Sequence, residues 1–201
     1  MLNALKNDLQ LLKELQVLDF QIIEAKENVK NVENKLKFLR EKILACDNII
    51  SEIHRLNVEN KISFDNIKMI IKDNDLNAED FLSNNDEVDV CISKIKNLKI
   101  KFEEKIIEQE ALLREGKEEY EKIVNIVTYT KNGIMSILDP NITKMYNRLF
   151  GLFSDKIVLT KIEDNTCAHC RLKTRFQKYV DVLQCECVVS CENCGRIFVG
   201  D

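Results

Sequence analysis

Only five glycines and one proline occur in 201 residues, there is no tryptophan, and aromatic residues make up 6%. Glycine and proline punctuate turns, so a chain this poor in both is expected to form long uninterrupted elements. Charged residues reach 32%. Few aromatics and many charges exclude a large globular core and suit long, solvated helices whose dry surface is a narrow seam. No apolar run approaches the roughly 20 residues of a membrane span. The opening stretch Met1 to Gln10 alternates polar and apolar residues, so no secretory leader is expected. A net charge of −4 offers no bulk attraction to nucleic acid or anionic membranes. The expected location is cytoplasmic. Thiols stay reduced there, so the eight cysteines read as metal ligands or buried apolar residues rather than as a disulfide framework.

What the chain does have is periodicity. Between Leu15 and Ile53, residues Leu15, Ile22, Val29, Leu36, Ile43 and Ile50 recur every seven, interleaved with Leu18, Ala25, Val32, Leu39, Cys46 and Ile53. All are apolar, and the intervening residues are mostly Lys, Glu, Asn and Gln, which is the pattern of a coiled-coil seam. At 1.5 Å per residue a helix from Leu5 to Leu56 would run about 78 Å and would need a partner along its length. A second seam runs through Val88, Cys91, Ile95, Leu98, Phe102, Ile106, Gln109, Leu113, Gly116, Tyr120, Ile123 and Val127. Two consecutive steps of four around Phe102 and Ile106 form a stutter that relaxes a left-handed supercoil. Joined in one chain, the two helices predict an antiparallel hairpin, with Cys46 and Cys91 buried in its seam. The tip falls within 57–89. The Asp- and Asn-rich stretch 72–89 reads as tip or insertion, and 57–71 either continues the first helix or folds back separately.

After Thr130 the seam fades through Lys131-Asn132-Gly133. Asp139-Pro140 then marks a helix start, with Asp139 as N-cap and Pro140 at the first helical position. Ile142, Met145, Tyr146, Leu149 and Phe153 give this helix an apolar face. The run Lys156 to Ile162 is β-type, and Val180 to Leu183 and Arg196 to Val199 are further candidate strands.

The strongest local signal is Cys167-x2-Cys170 and Cys191-x2-Cys194. A two-residue gap lets both thiolates of a pair point into one tight turn whose N–H groups bond the sulfurs. Two such turns complete a tetrahedral cage. Gly195 suits the positive-φ exit from the second turn. With four protein ligands no position stays open, so one structural metal per chain is expected: zinc is favoured, though a four-thiolate site also accepts iron. Cys185 and Cys187 are competing thiols whose one-residue gap fits a knuckle poorly. His169, inside the first knuckle, is expected to face solvent rather than metal.

Arg171, Lys173, Arg175 and Lys178, with Phe176 and Tyr179 interleaved, are candidates for contact with nucleic acid or a partner. Residues 161–201 nevertheless hold six basic and six acidic side chains, so this region is neutral overall. No Gly-rich phosphate loop or Ser/His/Asp or Cys/His grouping stands outside the metal cysteines, and His54 reads as solvated. An enzyme is therefore not expected.

The C-terminal third resembles a bacterial family of coiled-coil proteins with a C-terminal four-cysteine zinc ribbon, known mainly from epsilonproteobacteria and chlamydiae. The resemblance rests on Asp139-Pro140 with Tyr146-Asn147-Arg148-Leu149, on Ile162 to Cys170, and on Cys191 to Phe198. Leu172-Lys173-Thr174 departs from the Leu-Pro-Pro type sequence that usually follows the first knuckle. The resemblance implies a non-enzymatic adaptor binding the enhancer-dependent alternative sigma factor or flagellar and type III secretion components, with one branch associated with mRNA. The expected architecture is mainly α: a coiled-coil hairpin over 1–138, a connecting helix over 139–155 and a small β zinc ribbon over 156–201. RNA binding through the basic face of the ribbon is the alternative function.

Overall fold

The computed structural model describes residues 2–59, 61, 63–77 and 87–200. Two long helices dominate it, α1 (Leu2–Val58) and α3 (Val88–Ile137). Between them lies α2 (Phe64–Asp73), and α4 (Pro140–Leu152) follows. The remainder contains β1 (Leu159–Thr160), β2 (Ile162–Glu163), β3 (Thr166–Cys167), α5 (Phe176–Gln184) and β4 (Ile197–Phe198). The fold is thus mainly α, a long antiparallel helical hairpin followed by a small β-containing, cysteine-rich region. No helix among the described residues is long and apolar enough to cross a membrane. The chain divides into two compact units, Glu27–Glu119 and Met1–Lys26 with Tyr120–Asp201.

In the Glu27–Glu119 unit every predicted seam position is buried or half-buried on both helices. Ion pairs along one edge fix the antiparallel register: Glu33–Lys117 at 2.9 Å, Arg40–Glu110 at 2.9 Å and Asp47–Lys99 at 2.6 Å. The first two rungs are seven residues apart on each helix. From the second rung to the third α1 again advances seven, whereas α3 advances eleven. That longer step on α3 spans Phe102 and Ile106 of the stutter. Exposed pairs of this kind stabilise little; their use is in recording the register.

The segment after α1 folds back as a separate helix rather than prolonging it. Ser63 caps α2 by accepting from the Asn66 N–H at 3.2 Å. Ile67, Ile70 and Ile71 bury against Cys46, Ile49, Ile53, Cys91, Ile92 and Ile95. Burying each isoleucine contributes about 1.5–3 kcal/mol, enough to dock a ten-residue helix. Cys46 and Cys91 are both fully buried, as the heptad predicts, and burial pushes the Cys46 thiol up from its ordinary value. Ile62 and the part of the Asp/Asn-rich stretch from 78 to 86 lie outside the described residues.

In the other unit the reading of the seam needs correction. The seam does not fade after Thr130: α3 continues to Ile137, and Ile134 and Leu138 are buried. Lys131 occupies a seam position there because it has a partner, Asp19 of α1, itself only 5% exposed. Asp139 caps α4 as predicted, accepting from the N–H groups of Asn141 (2.7 Å) and Ile142 (3.3 Å). Ile142, Tyr146 and Leu149 join Leu9, Leu12, Leu15, Ile134 and Leu138 in one core. That core also takes in Val158, Leu159, Ile197 and Val199, so β1 and β4 sit directly on the helices of this unit.

Candidate metal centre

Three short β elements deliver the first cysteine pair. β2 and β3 form a hairpin closed by Asp164 and Asn165, both at positive φ (48° and 55°). Two residues of left-handed φ give the I′-type turn whose twist matches its strands, and Asp and Asn tolerate it best after glycine. Cys167 ends β3, Cys170 follows on the turn, and the chain leaves at Arg171 with φ of 60°. β4 pairs parallel with β1, Leu159 against Ile197, which places the second cysteine pair just before it.

The two knuckles are built alike from main-chain bonds. The Cys167 N–H donates to Leu172 O (3.0 Å), and the Cys191 N–H to Arg196 O (2.8 Å). The Arg171 N–H donates to Cys167 O, and the Gly195 N–H to Cys191 O, both at 2.9 Å. The Leu172 N–H reaches the Cys170 sulfur and the Arg196 N–H the Cys194 sulfur. Gly195 has φ of 76°, as the sequence predicts. Arg171 adopts the same conformation in the first knuckle without glycine's freedom.

The four sulfurs converge within 4.8 Å of one another. Cys167 Sγ lies 3.8 Å from Cys194 Sγ, and Cys170 Sγ lies 3.8 Å from Cys191 Sγ. A disulfide would bring sulfurs to about 2.05 Å. A tetrahedral ion with metal–sulfur bonds of about 2.3 Å sets its ligands about 3.8 Å apart. The donor set therefore fits a four-coordinate, thiolate-loving cation. Crossed pairing between the knuckles is the arrangement that closes a cage, because each short edge spans both turns.

The electrostatics fit the same reading. Burial opposes the Cys167 thiolate, but N–H groups of Cys170 and His169 and the Thr160 hydroxyl outweigh it and bring the thiol down to about 7. Burial pushes Cys170 up to about 12, with the neighbouring thiols adding and only the Leu172 N–H opposing. Cys194 is raised too, by burial first and by Cys191 and Cys167 next, against the Arg196 backbone N–H. Crowded sulfurs resist becoming several anions at once, and a dication among them reverses that preference.

A supporting layer was not legible in the sequence. Arg196, 6% exposed, donates to Asp155 Oδ2 at 2.5 Å and lies over the Phe153 ring, 4.3 Å from its centroid. Burial works against ionised Asp155, yet the Ile157 N–H, Arg196 and His169 together hold its carboxyl below the usual range. Gln16 of α1 accepts the N–H groups of Val158 and Leu159 at 2.7 and 2.8 Å, and Lys13 donates to Gly200 O at 2.7 Å. No motif advertises Gln16 or Lys13, since both sit on ordinary polar helix positions.

The other candidates fall out as follows. His169 is not among the converging ligands; its Nε2 lies 3.5 Å from Asp155, half-buried rather than in open solvent. Cys185 and Cys187 are also outside the cage. Cys185 ends α5 at φ of 52° with its thiol donating to Val182 O, and Cys187 is exposed. The Val180–Leu183 run is not a strand but part of helix α5. Its buried residue Val182 packs with Val189 and Phe198, and Gln177 donates to Asp181 one turn on. Of the basic residues, Arg171 lies 3.9 Å from Glu163, while Arg175 and Lys178 share Glu192 at 3.7 and 3.8 Å. Lys173, Phe176 and Tyr179 are exposed.

No protein-family model and no curated protein matches the sequence. Among solved structures, CT398 from Chlamydia trachomatis aligns at 20% identity over 98% of this chain and 99% of that one, with a TM-score of 0.48. The HP0958 protein from Helicobacter pylori aligns at 20% identity over 100% of this chain and 85% of that one, with a TM-score of 0.42. A Mycobacterium smegmatis protein gives 13% identity and a TM-score of 0.33, over 99% of this chain and 90% of that one. Global similarity at this level identifies neither a family nor an activity.

Proposed function

We propose that the chain is a non-enzymatic, zinc-binding adaptor that engages protein partners through its helical hairpin and its cysteine-rich ribbon. The observation that carries this reading is the closed set of four sulfurs with 3.8 Å edges. A metal bound there has all four positions taken by the protein, so it offers none to water or substrate and acts as a structural brace. Four thiolates favour zinc, with iron the competitor. Zinc would be held by Cys167, Cys170, Cys191 and Cys194, and the backbone N–H groups of the two knuckles would share the charge left on the sulfurs.

The resemblance in the C-terminal third supports a cytoplasmic partner such as an alternative sigma factor or a secretion or flagellar component. Against RNA, the chain carries a net charge of −4 and residues 161–201 are neutral overall, so there is no long-range attraction to a polyanion. Two measurements test the reading. Elemental analysis of purified protein should give about one zinc per chain, as a closed four-thiolate site requires. Affinity capture with and without nuclease should recover the same protein partner in both arms. Recovery that vanishes with nuclease would replace the adaptor with a nucleic-acid-binding protein, and iron in place of zinc would overturn the metal assignment.

A further inference from the structure

The helix inserted between the two knuckles carries an apolar stripe that none of the described residues covers. On α5, Phe176, Tyr179 and Leu183 recur at the first, fourth and eighth positions, one face of a helix. They are 65%, 38% and 62% exposed, while Val182, on the inner side, is buried. The rings of Phe176 and Tyr179 stand 6.3 Å apart, forming one continuous surface. Three exposed apolar side chains on one face of a nine-residue helix make a continuous patch.

Charge beside the stripe says what fits it. From Arg171 to Leu183, where the stripe ends, there are four cations and one acid, Asp181. Among the described residues, the carboxylate within 4 Å of Arg175 and Lys178 is Glu192, which both share at 3.7 and 3.8 Å, beyond ordinary hydrogen bonds. Against Glu163, Glu192 and Asp181, the four cations leave one positive charge in excess, at the N-terminal edge of the apolar face. The geometry points to α5 as the docking site for an amphipathic helical segment of a partner protein, with apolar anchors at i, i+3/i+4 and i+7 and Asp or Glu at its flanks. This deepens the adaptor reading and rests on it. Single-stranded RNA is a poorer fit: Leu183 is aliphatic and offers no ring for a base to stack on.

The test uses full-length, zinc-loaded protein and a fluorescein-labelled synthetic helical peptide with leucine at those anchor positions and glutamate on its flanks. Its counterpart carries lysine for every glutamate. Anisotropy should show saturable binding of the acidic peptide and binding roughly tenfold weaker or absent for the basic one. F176S and L183S, both at exposed positions, should each weaken the acidic peptide about tenfold while keeping one zinc per chain, as loss of an interface anchor does. Arg175→Glu should weaken it and strengthen the basic peptide. Equal binding of both peptides, or no effect of F176S and L183S, would overturn the proposal. So would a single-stranded RNA oligonucleotide that binds more tightly than the acidic peptide and loses affinity with F176S. If the peptide fails but affinity capture still recovers a nuclease-resistant partner, the adaptor stands and this surface does not.

Discussion

The Tyr146 hydroxyl donates to Asp19 Oδ2 at 2.9 Å, joining α4 to α1 across 127 residues of sequence. Both side chains are buried, and the other oxygen of Asp19 receives Lys131 from α3. Three helices thus meet on one carboxylate inside an otherwise apolar core. Burial, then the charge of Asp19, drives the Tyr146 phenol above its ordinary range, so the phenol stays a donor at any pH the protein meets.

Removing that donor leaves a buried acceptor short of a partner. Tyr146→Phe should therefore destabilise the protein by about 1–3 kcal/mol. Asp19→Ala, which strands both a buried ammonium and a phenol, should cost about 3–5 kcal/mol. Urea unfolding monitored by far-UV dichroism measures both. A stability for Asp19→Ala equal to that of Tyr146→Phe would mean that Lys131 finds water and contributes nothing here.

Metal loss should be felt unevenly. Cys167→Ser or Cys194→Ser should drop zinc well below one per chain, because the cage has no spare ligand. Protection from hydrogen exchange should then fall in β1 and β4 and around Leu9 to Gln16, which share their core and hydrogen bonds. The cluster of Cys46, Ile49, Ile53 and Ile67 should keep its protection. Full zinc occupancy in both variants would remove these cysteines from the ligand set, leaving Cys185 and Cys187 to be tested.

The turn exits separate strain from packing. Gly195→Ala should destabilise the ribbon by about 1 kcal/mol through its positive φ alone, since the added carbon meets only Phe153 at an ordinary 3.8 Å. Arg171→Gly should lie within about 0.5 kcal/mol of wild type, relief of strain offsetting the extra freedom of the unfolded chain. Thermal melts followed at the ribbon decide it; a large loss for Arg171→Gly would show that the arginine side chain itself holds the knuckle.

Acid should loosen the support around Arg196. Asp155 is held below the usual carboxylate range in the folded protein, so its stabilisation is full above the ordinary value of about 4 and is lost as pH falls through the folded value. Asp155→Asn should flatten that part of the pH–stability curve. Unchanged acid sensitivity in Asp155→Asn would assign the effect to proton competition at the cysteines alone.

The helices and the convergence of the four cysteines were legible because each follows a local rule, seven-residue periodicity in one case and a two-residue gap in the other. Lys131 broke the reading of the seam because its justification, Asp19, lies 112 residues away. Val180 to Leu183 suggested a strand through its β-branched residues. The better signal was Phe176, Tyr179 and Leu183 at helical spacing, with Gln177 and Asp181 four apart. Folding of α2 back onto the seam was one of two alternatives, and the three isoleucines decided it by burial. Gln16, Lys13 and Asp155 carried no pattern at all, because their roles arise only once distant backbone groups arrive beside them.

The matched main-chain bonds of the two knuckles have a consequence for variation. Those bonds are made by backbone groups, so they ask for two cysteine pairs and two left-handed exits and for almost nothing from the side chains between. Residues 171–190 are pinned at both ends by this frame, and of their side chains Val182 and Val189 are the ones buried against it. That makes the outward face of the stretch a replaceable cartridge: as long as two apolar anchors remain at 182 and 189, its exposed residues can be rewritten while the four-cysteine clasp stays as it is.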